Sequence, residues 1–171
     1  MNDRLSKMTE AARQLNTKMQ DGSLVRGVLR NHADDIMEQQ HIQLMEGKGS
    51  DGKDLRPYYT EDVQPSGYFK TVASARNYMA WKESLNYPYS VSRNGNAPNL
   101  YINGRFYSEM EVRFEAETMG IYPSTGYASE IMAKYGLHRF GLSALKWQVM
   151  MNEKGVKNEI QQRMKDILYG N

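Results

Sequence analysis

The sequence predicts an α+β fold in which a short antiparallel β-hairpin is packed by several α-helices. The main evidence is the stretch from Arg105 to Tyr122, where apolar and charged residues alternate along most of its length. Such alternation is typical of a strand with one face on a core and the other in water. The remaining segments have mostly helical or loop patterns, so the hairpin is the surface against which the helices are expected to bury their apolar sides.

Two long helices are predicted in residues 1–45. The first carries a narrow apolar stripe at three- and four-residue steps and stops at Asp21-Gly22. Its stripe consists of Leu5, Met8, Ala12, Leu15 and Met19. Ser23 is a suitable N-cap for the second helix, which extends to Met45. Because a stripe of this length cannot hold a free coiled coil, the first helix must dock on the domain or on a neighbouring molecule.

A long loop is predicted at residues 46–69, where Gly, Asp, Lys, Pro and Tyr are frequent. Residues 70–171 are predicted to form the α+β core, within a single domain overall. Tyrosine offers a large contact area with a polar tip, and the loop is rich in it. We therefore expect Tyr58, Tyr59 and Tyr68 to be interface anchors.

Within the core, helical spacing and stop signals predict three further helical regions. They are Thr71 to Leu85, Tyr127 to Tyr135, and the region after Ser143, which Gly155 splits. A short strand at Leu100 to Ile102 is predicted to lead through Asn103-Gly104, a common hairpin-turn dipeptide, into the main strand.

The composition argues against membrane proteins, secreted proteins, thiol-dependent enzymes and nucleic-acid-binding proteins. The chain has 171 residues, 40% of them hydrophobic, and no apolar run approaches the roughly 18 residues of a membrane helix. Its N-terminus has no signal-type apolar region, so we expect a protein of the cytosol or of something assembled there. The absence of cysteine removes disulfides, thiolate nucleophiles and zinc–thiolate sites. A net charge of +2, with both signs interspersed, does not favour nucleic-acid binding.

The segment from Gly47 to Lys53 has the glycine and lysine spacing of a phosphate-binding loop. Asp54 stands where such a loop needs a hydroxyl for Mg²⁺, and a helix precedes the segment instead of a strand. A carboxylate at that position would also repel the anion. We therefore expect a flexible turn that binds no ATP or GTP.

The histidines do not predict a metal site. His32 and His41 are nine residues apart on one predicted helix, whereas a helical zinc pair needs its ligands about one turn apart. His32 and Asp35 are spaced to share a face as an ion pair. His138 has no evident acidic partner, so the sequence supports no catalytic triad.

Four glutamates share one face of the predicted strand at two-residue and four-residue intervals: Glu109, Glu111, Glu115 and Glu117. Paired catalytic carboxylates need different environments, whereas these share one exposed face. A solvated face, or one that meets a basic neighbour, is the favoured interpretation. Basic residues of the C-terminal helices are available for that contact, namely Lys146, Lys154, Lys157, Arg163 and Lys165.

A series of short motifs begins at Gln43-Leu44, followed by Gly47 and Gly52 ahead of Tyr58. The later motifs are Asn99 to Val112, Ile121 to Ser124, Tyr127-Ala128, and Tyr135 to Ser143. In kind and order they resemble the neck proteins of tailed bacteriophages, including phages of gut Bacteroidales such as the crAss-like group. Thr-Gly is usual there in place of Asn103-Gly104.

This resemblance implies a head-to-tail connector or tail-completion protein. Such a protein forms a homo-oligomeric ring next to portal, connector or tail proteins, and it belongs to the virion after assembly in the host cytoplasm. It has no enzymatic activity and needs no cofactor, metal, membrane or specific nucleic acid. Two alternatives belong to other classes: a small phage or bacterial hydrolase that uses His32, Asp35 or the glutamates, and a cytosolic regulatory binding module.

Overall fold

A computed structural model describes residues 2–58, 69–93, 97–115, 118–136 and 139–170. In these residues the fold is α+β, with eight helices and one two-stranded antiparallel sheet. The order is α1 (Asn2–Gln20), α2 (Ser23–Asn31), α3 (Ala33–Met45), α4 (Val72–Glu83), α5 (Arg105–Ser108), β1 (Met110–Phe114), β2 (Met119–Pro123), α6 (Ala128–Tyr135), α7 (Ala144–Asn152) and α8 (Val156–Tyr169). None of the described helices has the length and apolar character needed to cross a bilayer.

The predicted hairpin is present, and its central alternation is confirmed. Strand β1 pairs with β2 from Met110 opposite Pro123 to Phe114 opposite Met119. Met110 is buried, while Glu111 and Arg113 are exposed. The alternation therefore places one face of β1 against the helices and leaves the other face in water.

The predicted strand is too long at its start, because residues 105–108 form the short helix α5 instead. Gly104 adopts a left-handed conformation, φ 82°, and the Asn103 side chain accepts a hydrogen bond from the Arg105 amide at 3.1 Å. The turn buries the adjacent residues Phe106 and Tyr107 together. A strand would have directed these two rings to opposite faces, so packing both into the core favours the helical turn.

The predicted strand at residues 100–102 and its hairpin turn are also wrong. Leu100 has a positive φ of 53°, which is incompatible with a strand. Asn99 holds this segment in place, because its side chain accepts a hydrogen bond from the Tyr101 amide at 3.2 Å and its carbonyl accepts one from the Tyr107 hydroxyl at 2.5 Å. Asn103-Gly104 therefore starts α5 and does not connect two strands.

The second predicted helix is divided at His32 into α2 and α3. The His32 backbone, at φ −102° and ψ 20°, leaves the helical region, and its amide donates to the carbonyls of Val28 and Leu29. The first helix ends as expected near Gly22, and Gly155 separates α7 from α8 with φ 83°. Ser143 caps α7, and Thr71 caps α4 through a capping box with Ser74.

The core has two buried clusters, and Met37 of α3 packs against both of them. The first cluster contains Leu44, Met45, Leu55, Phe106, Tyr107, Met110, Tyr135 and Phe140. The second contains Val28, Ile36, Ile121, Leu142, Met150 and Val156. Helix α3 contributes to both, so it is the central element against which the hairpin and the C-terminal helices pack.

Buried glutamines attach the segment before α7 to helix α3. Gln43 donates from Nε2 to the Gly141 carbonyl at 2.8 Å and accepts from the Ser143 amide at 2.8 Å. Gln40 accepts from the Gly141 amide at 2.9 Å. These bonds satisfy backbone groups that would otherwise be buried without partners, so they determine where α7 begins.

Candidate functional site

Helix α1 presents an apolar stripe to solvent. Leu5, Met8 and Met19 are 67%, 57% and 46% exposed, while Leu15 is half-buried. The helix contacts α8 and α2. Exposed apolar residues in a row on one helix are typical of a contact surface for another molecule. The stripe was predicted from the sequence, and the structure shows that most of it lies outside the subunit's own core.

The acidic face of β1 is partly neutralised within the subunit. Arg105 donates to Glu109 at 2.5 Å, and Arg113 forms an ion pair with Glu111. Glu115 is exposed, and Glu117 lies outside the described residues. The sequence analysis did not pair either arginine with a glutamate, although Arg105 is four residues from Glu109 and Arg113 is two residues from Glu111. The acidic surface is therefore weaker than a count of glutamates suggests.

The basic residues of the C-terminal helices divide into two groups. Lys146 pairs with Glu46 at 2.8 Å, Lys154 with Glu38 at 2.5 Å, and Arg163 with Glu159 at 2.8 Å, all inside the subunit. Among the described residues, Lys157 and Lys165 have no such partner and are exposed. These two lysines are accordingly the basic side chains of α8 that an acidic neighbour can reach.

Tyr58 serves the subunit's own core and not an exposed surface. Its side chain is 6% exposed, and its ring packs edge-on against Tyr78 at 5.5 Å and Phe69 at 6.4 Å between centroids. Burial raises the pKa of the Tyr58 hydroxyl well above its usual value. The prediction that Tyr58 is an interface anchor is corrected on this ground. Tyr59 and Tyr68 lie outside the described residues.

His32 lies at the centre of a polar network that joins the α2–α3 junction to α8. Its Nδ1 is 2.9 Å from Asp35 Oδ2, as the spacing predicted, and its Nε2 is 3.1 Å from Glu159 Oε2. Asn31 and Arg163 also donate to Glu159, at 2.7 and 2.8 Å. Because both ring nitrogens already have carboxylate partners, the arrangement acts as a clamp between helices and leaves no ring nitrogen directed at a substrate.

The carboxylates of this clamp titrate below their usual range. The hydrogen bond from His32 holds the pKa of Asp35 down. Burial acts to raise the pKa of Glu159, but hydrogen bonds from Arg163 and Asn31 leave it lowered. A carboxyl group whose pKa is lower in the folded state stabilises the fold above its unfolded pKa, and this contribution is lost as pH falls through the folded pKa.

We therefore expect Asp35→Asn to lower the melting temperature by a few degrees at pH 7, and this deficit to shrink as pH falls from about 5 to 2. Thermal unfolding followed by circular dichroism at each pH measures it. Asp34→Asn is the matched control, since Asp34 is the exposed neighbour in the same helical turn. A loss of melting temperature in Asp35→Asn that stays constant with pH would contradict a lowered pKa of Asp35.

The segment with phosphate-loop spacing forms a closed turn. Lys48 pairs with Asp54 at 2.6 Å, and the Gly49 amide donates to the Lys53 carbonyl at 2.9 Å. Asp51 forms an ion pair with Arg139, while the Ser50 amide donates to the Arg139 carbonyl at 3.0 Å. A phosphate cradle needs several amides directed at the anion. Here the amides of Gly49 and Ser50 have partners within the protein, whereas the side chain of Lys53, the lysine of the motif, is exposed. The absence of nucleotide binding stays a prediction.

His41 is a core residue. Its Nε2 lies 3.0 Å from the Tyr107 carbonyl, its ring contacts the Tyr107 ring, and burial lowers its pKa. Within the described part of the chain, no group of three or more histidines and carboxylates has an arrangement that could hold a metal ion.

We compared the chain with protein-family models, with curated proteins and with solved structures, and none of the three comparisons found a match. The functional argument accordingly depends on the surfaces described above and on the motifs in the sequence.

Proposed function

We propose that this chain is a structural virion protein of a tailed bacteriophage, which joins an oligomeric ring at the head–tail connector, neck or tail. The observation that carries the proposal is the exposed stripe of α1, formed by Leu5, Met8 and Met19. An exposed apolar row on a helix already held by α8 gives a neighbouring subunit a preformed, rigid contact. The motifs from Gln43 onward provide the link to phage neck proteins.

A closed ring needs two different complementary patches on each subunit, since each copy contacts the next head to tail. The chain offers surfaces suited to this arrangement. Glu111 of β1 and Glu115, which directly follows β1, are exposed, and Lys157 and Lys165 are exposed on α8. Charges of opposite sign on separate elements favour one register between copies, whereas the apolar stripe contributes most of the binding free energy.

The decisive experiment changes the stripe without disturbing the fold. In Leu5→Asp/Met8→Asp, two charged carboxylates would be buried at the contact, so we expect at least a hundredfold fewer infectious particles when this variant complements a phage that lacks the gene. Filled heads without attached tails, or unfinished tails, should accumulate in electron micrographs. The melting temperature of the purified subunit should remain within a few degrees of the wild type, because both side chains are exposed.

The matched control is Ser6→Asp/Asn16→Asp, which adds the same charge to exposed polar positions of the same helix. This control variant should restore the wild-type number of infectious particles to the phage that lacks the gene. Normal complementation by the stripe variant, or mass spectrometry that finds no copy of the chain in purified virions, would overturn the proposal.

A further inference from the structure

A cavity of about 460 Å³ lies between α4, α5 and α6, and aromatic and aliphatic side chains form most of its wall. These include Tyr58, Phe69, Tyr78, Ile102, Phe106 and Ile131. Its volume is within the range of about 300–1,000 Å³ that small-molecule sites occupy. The cavity is separate from the α1 stripe and from the acidic face of β1, and the ring proposal does not use it.

Lys82 of α4 lines this cavity and is 1% exposed. Its ammonium nitrogen lies 6.0 Å from the centroid of the Tyr58 ring, and among the described residues it has no carboxylate within ion-pair distance. A buried ammonium group without an anionic partner is costly, and structural lysines at such depth are almost always paired. The contact with the Tyr58 ring is at the outer limit for a cation–π interaction, so it offsets only part of the cost of burying the ammonium group.

The charges around the cavity are mostly positive. Lys134 of α6 also lines it, and Glu130 is the one carboxylate that the described residues contribute to the lining. Arg93 lies close enough to act on Lys82 electrostatically, although it forms its own ion pair with Glu83. Among the described residues, the titratable and charged groups around Lys82 are Arg93 and those that line the cavity, namely Glu130, Lys134 and the phenols of Tyr58, Tyr78, Tyr127 and Tyr135. An apolar pocket with this charge distribution suits an apolar body that carries one anionic group.

We propose that the cavity is a binding site for a small aromatic or aliphatic monocarboxylate, whose carboxylate pairs with Lys82 while its apolar body packs among the aromatic side chains. The ligand supplies the anion that the buried amine lacks, and the aromatic wall supplies the apolar contact. Burial, and secondarily Arg93, lower the pKa of Lys82 to about 7. The amine therefore loses its proton more readily than an exposed lysine does, and an anionic ligand binds the protonated form.

Calorimetric titration of the full chain with 2-naphthoate, and in parallel with 2-naphthamide as its uncharged counterpart, tests the site. We expect the carboxylate to bind at least tenfold more tightly than the amide at pH 6.5. Its affinity should fall by up to about tenfold per pH unit above pH 7, because the amine loses its proton and the ion pair is lost. Binding at pH 7 should take up protons, which titrations in buffers of different ionisation enthalpy measure.

Lys82→Met keeps the apolar stem and removes the amine, so it should fold at least as stably as the wild type while losing the preference for the carboxylate. Lys18→Met, at an exposed position of α1, is the matched control and should bind like the wild type. Absence of binding by both probes, equal affinity for both, or an unchanged preference in Lys82→Met would each overturn the proposal. Because the titration uses the isolated chain, its outcome does not depend on whether the protein belongs to a virion.

Discussion

Replacing Leu44 by alanine is expected to lower the free energy of unfolding by about 2–5 kcal/mol. Leu44 is fully buried in the cluster that joins α3 to the aromatic side chains of α5 and α6. The substitution removes three carbon atoms from a closely packed interior, so the surrounding side chains lose contacts and a cavity remains. Urea unfolding followed by circular dichroism should show a lower midpoint with an unchanged slope.

Leu145→Ala is a control that makes the same chemical change at a surface position. Leu145 is on α7 and is 65% exposed, so its loss should change the free energy of unfolding by less than about 0.5 kcal/mol. Similar effects at the two positions would show that Leu44 is not part of a close-packed core.

Gln43→Leu is also expected to lower the free energy of unfolding strongly, although leucine is apolar and of similar size. The side chain of Gln43 is fully buried and bonds both the Gly141 carbonyl and the Ser143 amide. Leucine leaves both backbone groups buried without partners, and each such group costs about 1–3 kcal/mol. Hydrogen exchange should reveal faster exchange at the first turn of α7, since Ser143 is the N-cap of that helix.

The matched control for this second substitution is Gln162→Leu. Gln162 is exposed on α8, where its amide donates to Asp166 at 2.7 Å within the same helix. Water replaces that partner readily, so the change in stability should stay within about 0.5 kcal/mol. Equal loss of stability in the two variants would indicate that the bonds of Gln43 to the 141–143 segment are not essential.

Local signals predicted much of the fold correctly. The start of α7 at Ser143 and the interruption at Gly155 are where the sequence indicated, because these signals depend on groups within about four residues. The predicted N-cap Ser23 was wrong, since Gly22, which has no side chain, is the N-cap of α2. The alternation in β1 also has a local basis, since successive side chains of a strand point to opposite faces. The stripe on α1 follows from helical periodicity in the same way.

The start of the predicted main strand was wrong because alternation is not unique to strands over short stretches. Phe106 and Ser108 continue the pattern of Met110 in the sequence, but the core accepts Phe106 and Tyr107 side by side. Only packing against α3 and α6 decides between a longer strand and the helical turn α5. These contacts involve distant parts of the chain. The second predicted helix is also interrupted at His32, whose side chain contacts Glu159, 127 residues away in the sequence.

The sequence by itself determined the α+β class, most helix boundaries, the apolar stripe of α1 and the His32–Asp35 pair, because each depends on neighbours within a few turns. Only the tertiary structure decided which polar residues are buried. Gln43 bonds a carbonyl 98 residues away, and Lys82 lies inside an aromatic cavity although its neighbours in the sequence suggest an exposed helical lysine. Burial of a side chain depends on which distant segments cover it, and no short-range pattern contains that information.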